Sequence, residues 1–332
     1  MDQKTAYDRL CGCYITVPTM FHDDTLELNL PAIQRHVQFL LEGGAQTGSA
    51  VLLAGGAAGD FSTMTFDERR QVAETVVEAA AGRVPVTVGA QTTSTRELVE
   101  LAKMAERAGA EYIQVSPPFY FKHTEEDFFE YVSAAAGAAD VGIIVYNTFW
   151  TSLGVSMNLV ERMVDIPNVI GLKWADGDII GMSFERIVDT YGKRFSVIDN
   201  QLRYIPSFIL GARGIEVHIC NHWPEWGIQM HEMLKAGQYV EAQRELLRVC
   251  VPYYSLWREM EQYTSGDGYL DKLCMELVGL DSSCCRPPTR DVRDQFREKA
   301  RAMLISVDTP VSYTHLRAHE TDSYLVCRLL LE

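Results

Sequence analysis

Positive charge is scarce in this sequence. The 30 lysine and arginine residues are outnumbered by 45 aspartate and glutamate residues, so the formal net charge is −15 over 332 residues. Nucleic acids and anionic membrane surfaces are recognised through basic patches, and we therefore expect neither as a partner. The net charge does not exclude a small anionic substrate, which responds to the charges near its own binding site.

A basic stretch followed by a long apolar run is also missing from the early residues. We therefore expect neither a signal peptide nor a membrane-spanning helix. The eight cysteines lack the paired C-x-x-C spacing of a structural zinc site; they lie at positions 11, 13, 220, 250, 274, 284, 285 and 327. This usage predicts reduced thiols in a cytoplasmic protein.

Two runs near the end of the chain differ in style from everything before them. They read VSYTHLRAHET and LVCRLLLE, and both resemble translated sequencing adapter, over residues 311–320 and 325–332. Residues 321–324 fit a short variable index between them. We predict that residues 310–332 form a non-native tail, and the fold prediction rests on the residues before it.

The chain does contain a sustained alternation of short β-rich runs and helical stretches. The predicted strands are CYIT (13–16), SAVLLAG (49–55), PVTVGA (85–90), EYIQVS (111–116), GIIVYN (142–147), VIGLKW (169–174), FSVID (195–199) and GIEVHI (214–219). Their almost continuous apolar character is typical of parallel strands buried on both faces. Eight βα units in succession favour a closed (β/α)₈ TIM barrel. A doubly wound sheet is the alternative, but no G-x-G-x-x-G follows the first strand.

The helices that complete this architecture carry their own sequence signals. Thr65, Ser94 and Thr124 are predicted to cap the helices that follow strands 2, 3 and 4, the last two in capping boxes. Residues 237–302 read as helices alone. We therefore predict a barrel over residues 1–236 and a C-terminal appendix of about three helices over residues 237–309.

Several chemically informative side chains lie where TIM barrels keep catalytic groups, at the C-terminal ends of the strands. They are Asp60, Tyr120, Tyr146, Lys173 and Glu216. Lys173 ends a short apolar run and is followed at once by Trp174. This run alone leaves two explanations open. Either the ammonium reaches solvent at a strand end, or the lysine is desolvated and its amine is nucleophilic.

The barrel context favours the second explanation. Tyr146 ends the strand adjacent to that of Lys173, and an apolar barrel mouth would lower the pKa of a lysine placed there. A phenol within reach can transfer protons while a carbonyl becomes a carbinolamine and then an imine. Together the two residues predict a Schiff-base enzyme.

Motifs over most of the chain point to one family. The sequence carries VPTMF, AGGAAGDFSTMTFDER, VTVGAQTTSTRELVELAKMAERAGAEYIQVSPPFY, IIVYN, NVIGLKWADGD, LGARGIEV and RPPTRDV, in this order. In their order and spacing these motifs resemble the dihydrodipicolinate synthase/N-acetylneuraminate lyase family of class I aldolases. The resemblance extends from about residue 12 to about residue 292.

The resemblance implies roles for individual residues. Lys173 matches the family's Schiff-base lysine, and Tyr146 matches its general acid/base tyrosine. Tyr120 matches a tyrosine that is often lent to the neighbouring subunit's site. Residues 55–59 match the loop that holds the substrate carboxylate, which places Gly56, Ala57 and Ala58 in substrate binding. The resemblance also implies that the reaction needs no metal or organic cofactor. It implies an oligomer as well, either a homodimer or a homotetramer built from tight dimers.

The sequence departs from the family pattern at two places. The usual loop reads G-T-T-G-E, whereas Ala57 and Ala58 replace both threonines, so that only backbone N–H groups remain to bind a carboxylate. The synthases place an arginine after the YN motif for the carboxylate of their aldehyde substrate, and Thr151 stands in that region here. These departures argue against the synthase reaction of lysine biosynthesis.

Four further side chains have more than one interpretation. Trp150 is suited either to stack on a substrate or to pack at the rim. Glu216, where the family has a small or apolar group, is suited to bind hydroxyls or a cation, to act as a base, or to form a rim salt bridge. His218 and His222 flank Cys220, and we expect packing rather than metal binding from them.

These observations predict a Schiff-base lyase that cleaves or condenses a 2-oxo acid, such as pyruvate, with an aldehyde. One alternative is a Schiff-base hydro-lyase that dehydrates a 2-oxo-3-deoxy sugar acid. Another is a silent ligand-binding barrel. A phosphate-binding barrel would need glycine-rich turns after both strands 7 and 8, and only GARG at 211–214 is present, before strand 8.

Overall fold

The computed structural model describes residues 2–309. Eight parallel strands close into a barrel in sequence order, with the last strand paired to the first. The strands are β1 Gly12–Val17, β2 Ala50–Ala54, β3 Val86–Gly89, β4 Tyr112–Val115, β5 Gly142–Tyr146, β6 Val169–Trp174, β7 Ser196–Asp199 and β8 Gly214–Glu216. The predicted TIM barrel is confirmed. The predicted non-native tail lies outside the described residues.

Helices surround the barrel as the sequence pattern predicts. They are α1 Gln3–Arg9, α2 Leu30–Glu42, α3 Phe66–Ala80, α4 Thr95–Ala108, α5 Glu125–Ala136, α6 Met157–Met163, α7 Ser183–Tyr191, α8 Tyr204–Leu210 and α9 Pro224–Lys235. The three C-terminal helices are α10 Tyr239–Met260, α11 Tyr269–Leu277 and α12 Arg293–Ser306. Their number agrees with the prediction.

The predicted helix caps are present, with one difference. Thr65 and Thr124 each form a complete capping box. The Ser94 side chain accepts a hydrogen bond from the Glu97 N–H, but the Glu97 carboxylate accepts one from the Thr92 hydroxyl instead of returning to the cap. The box predicted at Ser94 is therefore wrong in its second half, because a nearer hydroxyl competes for the carboxylate.

Apolar side chains fill both the lumen and the layer between strands and helices. The lumen is filled by side chains that include Tyr14, Leu53, Tyr112 and Ile198. Helix α1 closes its N-terminal end, where the Tyr112 hydroxyl donates to the Ala6 carbonyl at 2.7 Å. A second cluster runs without interruption from β1 and β2 into α10, α11 and α12. The C-terminal helices therefore share a core with the barrel.

Two elements differ from the sequence-based prediction. Strand β8 ends at Glu216, three residues early, and the chain turns into a 3₁₀ helix over His218–Asn221. Helix α1 was absent from the prediction, because seven residues are too few to display an amphipathic period. The early end of β8 matters for the site because it turns His218 back toward the barrel mouth.

Within residues 2–309, no helix is long and apolar enough to cross a membrane. The seven cysteines in this part of the chain form no disulfide bond.

Candidate active site

A cavity of about 590 Å³ opens at the C-terminal ends of the strands. Its wall combines barrel residues with residues from the C-terminal helices, which cover one side of the mouth. The lining side chains include Thr16, Ala57, Gln114, Tyr146, Trp150, Lys173, Asn200, Glu216, His218, Tyr254, Trp257, Glu261 and Asp267. The candidate site is therefore where a TIM barrel places its chemistry.

Lys173 points into this cavity. It is only 5% exposed, and its Nζ lies 4.6 Å from the ring centroid of Tyr146 and 5.2 Å from that of Tyr14. Tyr146 and Lys173 are register partners on the adjacent strands β5 and β6. Within residues 2–309, no carboxylate lies within salt-bridge distance of the Lys173 ammonium, so aromatic faces surround it instead.

Burial sets the protonation of both groups. It lowers the pKa of the Lys173 ammonium below its ordinary value of 10.5, and the more distant carboxylates of Glu216 and Asp267 oppose this only in part. Burial, with smaller contributions from the same two carboxylates, raises the pKa of the Tyr146 phenol well above 10. The amine is thus poised to lose its proton, and the phenol is poised to keep its own.

The Tyr146 hydroxyl is oriented by a neighbour on β7. Its oxygen accepts a hydrogen bond from Asn200 Nδ2 at 3.2 Å. Because Tyr146 is the acceptor in this contact, its proton can be given to a substrate oxygen. Trp150 lies at the rim, 52% exposed, with its ring centroid 6.0 Å from that of Tyr146. It both packs on the phenol and lines the cavity.

The loop after β2 presents backbone to the cavity. Its internal hydrogen bonds are donated by the Gly59 and Asp60 amides to the Gly56 and Ala57 carbonyls, at 3.1 and 3.0 Å. The amides of Ala57 and Ala58 are not donors in these two bonds. Of the three loop residues predicted to bind substrate, Ala57 lines the cavity, whereas Gly56 and Ala58 do not.

Close packing fixes this loop. A Cβ on Gly89 would lie 2.0 Å from the Gly55 carbonyl oxygen, and one on Gly268 would lie 2.6 Å from the Ala58 carbonyl oxygen. Gly268 also has a φ of +77°, which favours glycine. The loop is therefore clamped between β3 and the start of α11.

Tyr120 lies apart from the other predicted site residues. It follows β4 with a φ of +87°, is 87% exposed, and contacts Phe121 rather than the cavity. Within one chain, the structure does not bring it to Lys173.

Glu216 reaches the cavity from the end of β8, where it is 7% exposed. Its Oε1 lies 3.3 Å from His218 Nε2, and His218 Nδ1 lies 2.7 Å from Asp271 Oδ2. The other Asp271 oxygen accepts a hydrogen bond from the Tyr253 hydroxyl at 2.6 Å. Burial disfavours the charged imidazole, but Glu216 and Asp271 outweigh it and raise the pKa of His218 to about 10.

His222 differs from His218 in its surroundings. It is buried and stacks on Tyr253, with ring centroids 6.0 Å apart. Burial lowers the pKa of His222 to about 4. Among residues 2–309, no group of three or more histidine, cysteine, aspartate or glutamate side chains is arranged to hold a metal ion.

Asp60 lines the cavity as part of a buried ion pair. Its Oδ2 lies 2.6 Å from Nζ of Lys272 on α11, and the two side chains are 5% and 1% exposed. Lys272 also donates to the Cys284 carbonyl at 3.1 Å. The pair connects the loop after β2 to the C-terminal helices, and it distinguishes Lys272 from the unpaired buried Lys173.

Removal of one partner of this pair is expected to destabilise the protein strongly. Lys272→Met leaves the Asp60 carboxylate buried without its cation, which costs about 3–5 kcal/mol of unfolding free energy. Lys299→Met provides a control, because the Lys299–Glu259 pair is exposed and is worth at most about 1 kcal/mol. Urea denaturation measures both. Equal, small losses in the two variants would contradict the assignment.

Acidic residues contribute much of the cavity wall. Glu261 and Asp267 line the cavity in addition to Glu216 and the paired Asp60, and no arginine lines it among residues 2–309. Thr151, which stands in the region of the synthase arginine, does not line the cavity. Its hydroxyl donates to the Thr148 carbonyl at 3.1 Å instead.

Several lining residues were missed from the sequence. Thr16, Asn200 and Gln114 are polar residues at strand ends, and the position rule for barrels could have found them. Asp267 and Asp271 come from the start of α11, and no local signal connects them to the barrel mouth.

The arrangement can form an imine. It offers a desolvated amine and a phenol that can donate a proton. Attack of the amine on a ketone, followed by loss of water, needs only these groups.

Comparisons with known proteins agree with this chemistry. A sequence model of the dihydrodipicolinate synthetase family matches residues 10–306. The 4-hydroxy-tetrahydrodipicolinate synthase of Methanopyrus kandleri is 31% identical over 290 residues, which cover 86% of this chain and 92% of that protein.

Solved structures agree with the fold. The dihydrodipicolinate synthase of Aquifex aeolicus has a TM-score of 0.80 at 23% identity, covering 91% of this chain and all of that one. The chloride-inhibited enzyme of Acinetobacter baumannii, complexed with pyruvate, has a TM-score of 0.78 at 22% identity, covering 90% of this chain and 99% of that one.

Proposed function

Because the chain belongs to the dihydrodipicolinate synthetase family, we propose that it is a class I aldolase-type lyase in which Lys173 forms a Schiff base with a 2-oxo acid such as pyruvate. One observation carries the assignment to Lys173: this amine is buried and free of a carboxylate partner within residues 2–309, and it lies against the ring of Tyr146. The related synthases do not favour the dehydratase or silent-barrel alternatives.

The first half of the reaction makes the imine. The neutral Lys173 Nζ attacks the C2 carbonyl carbon of the 2-oxo acid, and a proton moves from this nitrogen to the carbonyl oxygen to give a neutral carbinolamine. Tyr146 donates a proton to the leaving hydroxyl, which departs as water and leaves a protonated imine. The raised pKa of Tyr146 keeps this proton in place until it is needed.

The second half uses the imine as an electron sink. In the cleavage direction, the C3–C4 bond breaks, its electrons move into the C2–C3 bond, and the imine nitrogen becomes an enamine nitrogen. The C4 hydroxyl gives its proton to the Tyr146 phenolate left by the first half, and the fragment beyond C3 leaves as an aldehyde. In the condensation direction, the same enamine attacks an aldehyde, and Tyr146 protonates the new hydroxyl.

The loop after β2 supplies the carboxylate site in this proposal. Strand β2 lies diametrically opposite β6 in the eight-stranded ring, so a 2-oxo acid held at C2 by Lys173 extends its carboxylate toward this loop. The Ala57 amide would donate to it. Because no side-chain hydroxyl assists there, we expect the KM for the 2-oxo acid to be high.

The aldehyde partner is proposed to lack a carboxylate. Glu261 and Asp267 would repel an anionic aldehyde, and no arginine lines the cavity among the described residues. The Trp150 and Trp257 rings suit the apolar face of a hydroxyaldehyde or sugar chain. Neutral hydroxyaldehydes are therefore expected to react faster than aldehydes that carry a carboxylate.

The proposal is tested by trapping the imine. The protein is incubated with pyruvate and, separately, with 2-oxo-3-deoxy sugar acids, then reduced with borohydride, and its intact mass is measured. An adduct, together with aldehyde-dependent consumption of pyruvate, supports the lyase. The absence of an adduct from every 2-oxo acid tried, with binding intact, contradicts it.

Imine formation is expected to respond to pH through Lys173. The neutral amine is the reactive form, and its fraction increases as the pH rises through the lowered pKa of this group. The initial rate of trapping should therefore rise with pH to a plateau with a midpoint below 10.5. Rapid-quench trapping at a series of pH values measures it. A midpoint at 10.5 or above would contradict a desolvated lysine.

We also propose a homotetramer or homodimer, in which Tyr120 contributes to the site of a neighbouring protomer. The exposed Tyr120 and Phe121 rings support this, since such a large apolar surface is typical of an interface. A cytoplasmic location is proposed in addition, supported by the free thiols within the described residues.

Sharing of Tyr120 predicts recovery of activity in mixed oligomers. Tyr120→Phe and Lys173→Met chains are each expected to be weakly active alone. When the two are co-refolded, some sites combine an intact Lys173 with an intact Tyr120 from a partner, and activity should rise severalfold above the sum of the parts. Activity of the mixture equal to the sum of the two separate activities would contradict the sharing. So would a fully active wild-type protein that sedimentation velocity shows to be a monomer.

A further inference from the structure

Glu216 is held at the cavity by a line of charged groups that imine formation does not use. The Glu216 carboxylate contacts His218, and His218 contacts Asp271 on its other side. Both His218 nitrogens are therefore engaged by carboxylates. The Asp271 side chain is fully buried, and its second oxygen accepts from Tyr253. The arrangement fixes the direction in which Glu216 points.

The other end of this line is available to substrate. Glu216 lines the cavity, and within residues 2–309 its carboxylate makes no hydrogen bond beyond the ion contact with His218. A buried carboxylate that lines a cavity and has one oxygen fixed by a histidine is equipped to accept a proton.

The register of the barrel places Glu216 beside the imine. Lys173 is the register partner of Ile198, and Ile198 is the partner of Gly214. Glu216 lies two residues beyond Gly214 on β8, so its side chain points inward one layer nearer the mouth than Lys173. It is also the register partner of Tyr14, whose ring lies 5.2 Å from Lys173 Nζ.

Around the ring, Tyr146 and Glu216 flank Lys173 on opposite sides. Tyr146 lies on β5, one strand before Lys173, and Glu216 lies on β8, two strands after it. A 2-oxo acid bound with its carboxylate on the loop after β2 and its C3 on the β8 side would place the departing oxygen near Tyr146 and C3 near Glu216.

We propose that Glu216 is the base that removes the C3 proton of the protonated imine, and that His218 and Asp271 are positioning residues for it. This inference rests on the proposed Schiff-base function. The C3–H bond breaks and its proton moves to a Glu216 oxygen. The bonding pair forms the C2–C3 double bond, and the imine electrons move to nitrogen, giving a neutral enamine. The reverse transfer restores the imine.

The other candidate for this task is less suited to it. Tyr146 is left as the phenolate once it has protonated the leaving hydroxyl, and with Asn200 donating to its oxygen it is assigned the proton of the C4 hydroxyl in the cleavage step. Ala57 carries no hydroxyl that could relay a proton to or from the phenol. Proton transfer at C3 therefore falls to the carboxylate on the other side of the lysine.

The experiment separates proton transfer from imine formation. Wild type and Glu216→Gln are incubated with pyruvate in deuterium oxide, and loss of the methyl proton signal is followed by NMR while borohydride trapping follows the imine. Glu216→Gln is expected to form the adduct at near wild-type rate, whereas deuterium exchange falls by about 10²-fold or more. Glu241→Gln, the same change at an exposed position of α10 outside the cavity, is the control and should exchange normally.

Glu216→Asp and Asp271→Asn sharpen the assignment. The first keeps the charge facing His218 but withdraws the oxygen by one methylene, so exchange should fall while the adduct forms. The second leaves His218 with one carboxylate and is expected to lower exchange about 10-fold. A merely structural role for Asp271 would lower trapping and exchange together.

The outcomes distinguish this inference from the proposed function. A wild-type protein that forms no adduct overturns both. A wild-type adduct, with exchange in Glu216→Gln within threefold of wild type, overturns the role of Glu216 alone. Loss of the adduct together with exchange in both Glu216 variants also overturns it, because it places the residue in imine formation or in folding.

Discussion

Lys173→Met is expected to produce a folded protein that forms no adduct with any 2-oxo acid. Its turnover should fall by about 10⁵-fold or more, the order seen when a covalent nucleophile is removed. Methionine matches the length and apolar character of the lysine stem, so it suits a position that is 5% exposed. Because the variant also removes an ammonium that lacks a carboxylate partner within residues 2–309, its melting temperature should not fall.

The matched control is Lys103→Met. Lys103 lies on the exposed face of α4, where it pairs with Glu100 at 3.2 Å. The Lys103→Met variant should form the adduct and turn over substrate like the wild-type protein. Turnover in Lys173→Met within tenfold of wild type would show that the reaction does not pass through this amine.

Tyr146→Phe is expected to slow the reaction by about 10²- to 10⁴-fold, the usual contribution of a positioned general acid. The ring stays in place against Lys173 and Trp150, so the shape of the cavity is preserved. The proton for the leaving hydroxyl is lost. The rate of imine trapping should therefore fall together with turnover, whereas the final extent of trapping should approach that of wild type.

Tyr254→Phe removes a hydroxyl from another tyrosine of the same cavity and serves as the control. It should retain turnover within a few-fold of wild type. If the two tyrosine variants lost activity equally, the loss would reflect cavity shape or solvation, and Tyr146 would have no special role as an acid.

The barrel could be predicted from sequence because its strands and helices are specified locally. Each strand is a short apolar run, and the helices after β2 and β4 begin at threonine caps that form as predicted. The placement of Lys173 against Tyr146 also follows from local pattern. Both residues end adjacent parallel strands, so their side chains meet at one rim.

The rest of the site depends on contacts between residues far apart in sequence. His218 was expected to pack, yet it lies between Glu216 and Asp271, because β8 ends early and α11 covers the mouth. Asp271 is 53 residues from His218 in sequence, and no periodicity connects them. Ala58 belongs to the loop matched by the family, but it is buried and does not line the cavity.

The position of Tyr120 relative to the site could not be predicted from sequence for a related reason. Its motif follows β4 and was assigned to a site by resemblance, whereas the structure of one chain leaves it 87% exposed. A residue whose function depends on a second protomer cannot be positioned by the contacts of its own chain.

The measurement that tests the central claim most directly is peptide mapping of the protein after reduction with borohydride in the presence of pyruvate. Of the eight lysines in the chain, the account predicts that Lys173 alone carries the reduced adduct. A reduced adduct found on exposed lysines while the Lys173 peptide stays unmodified would contradict it.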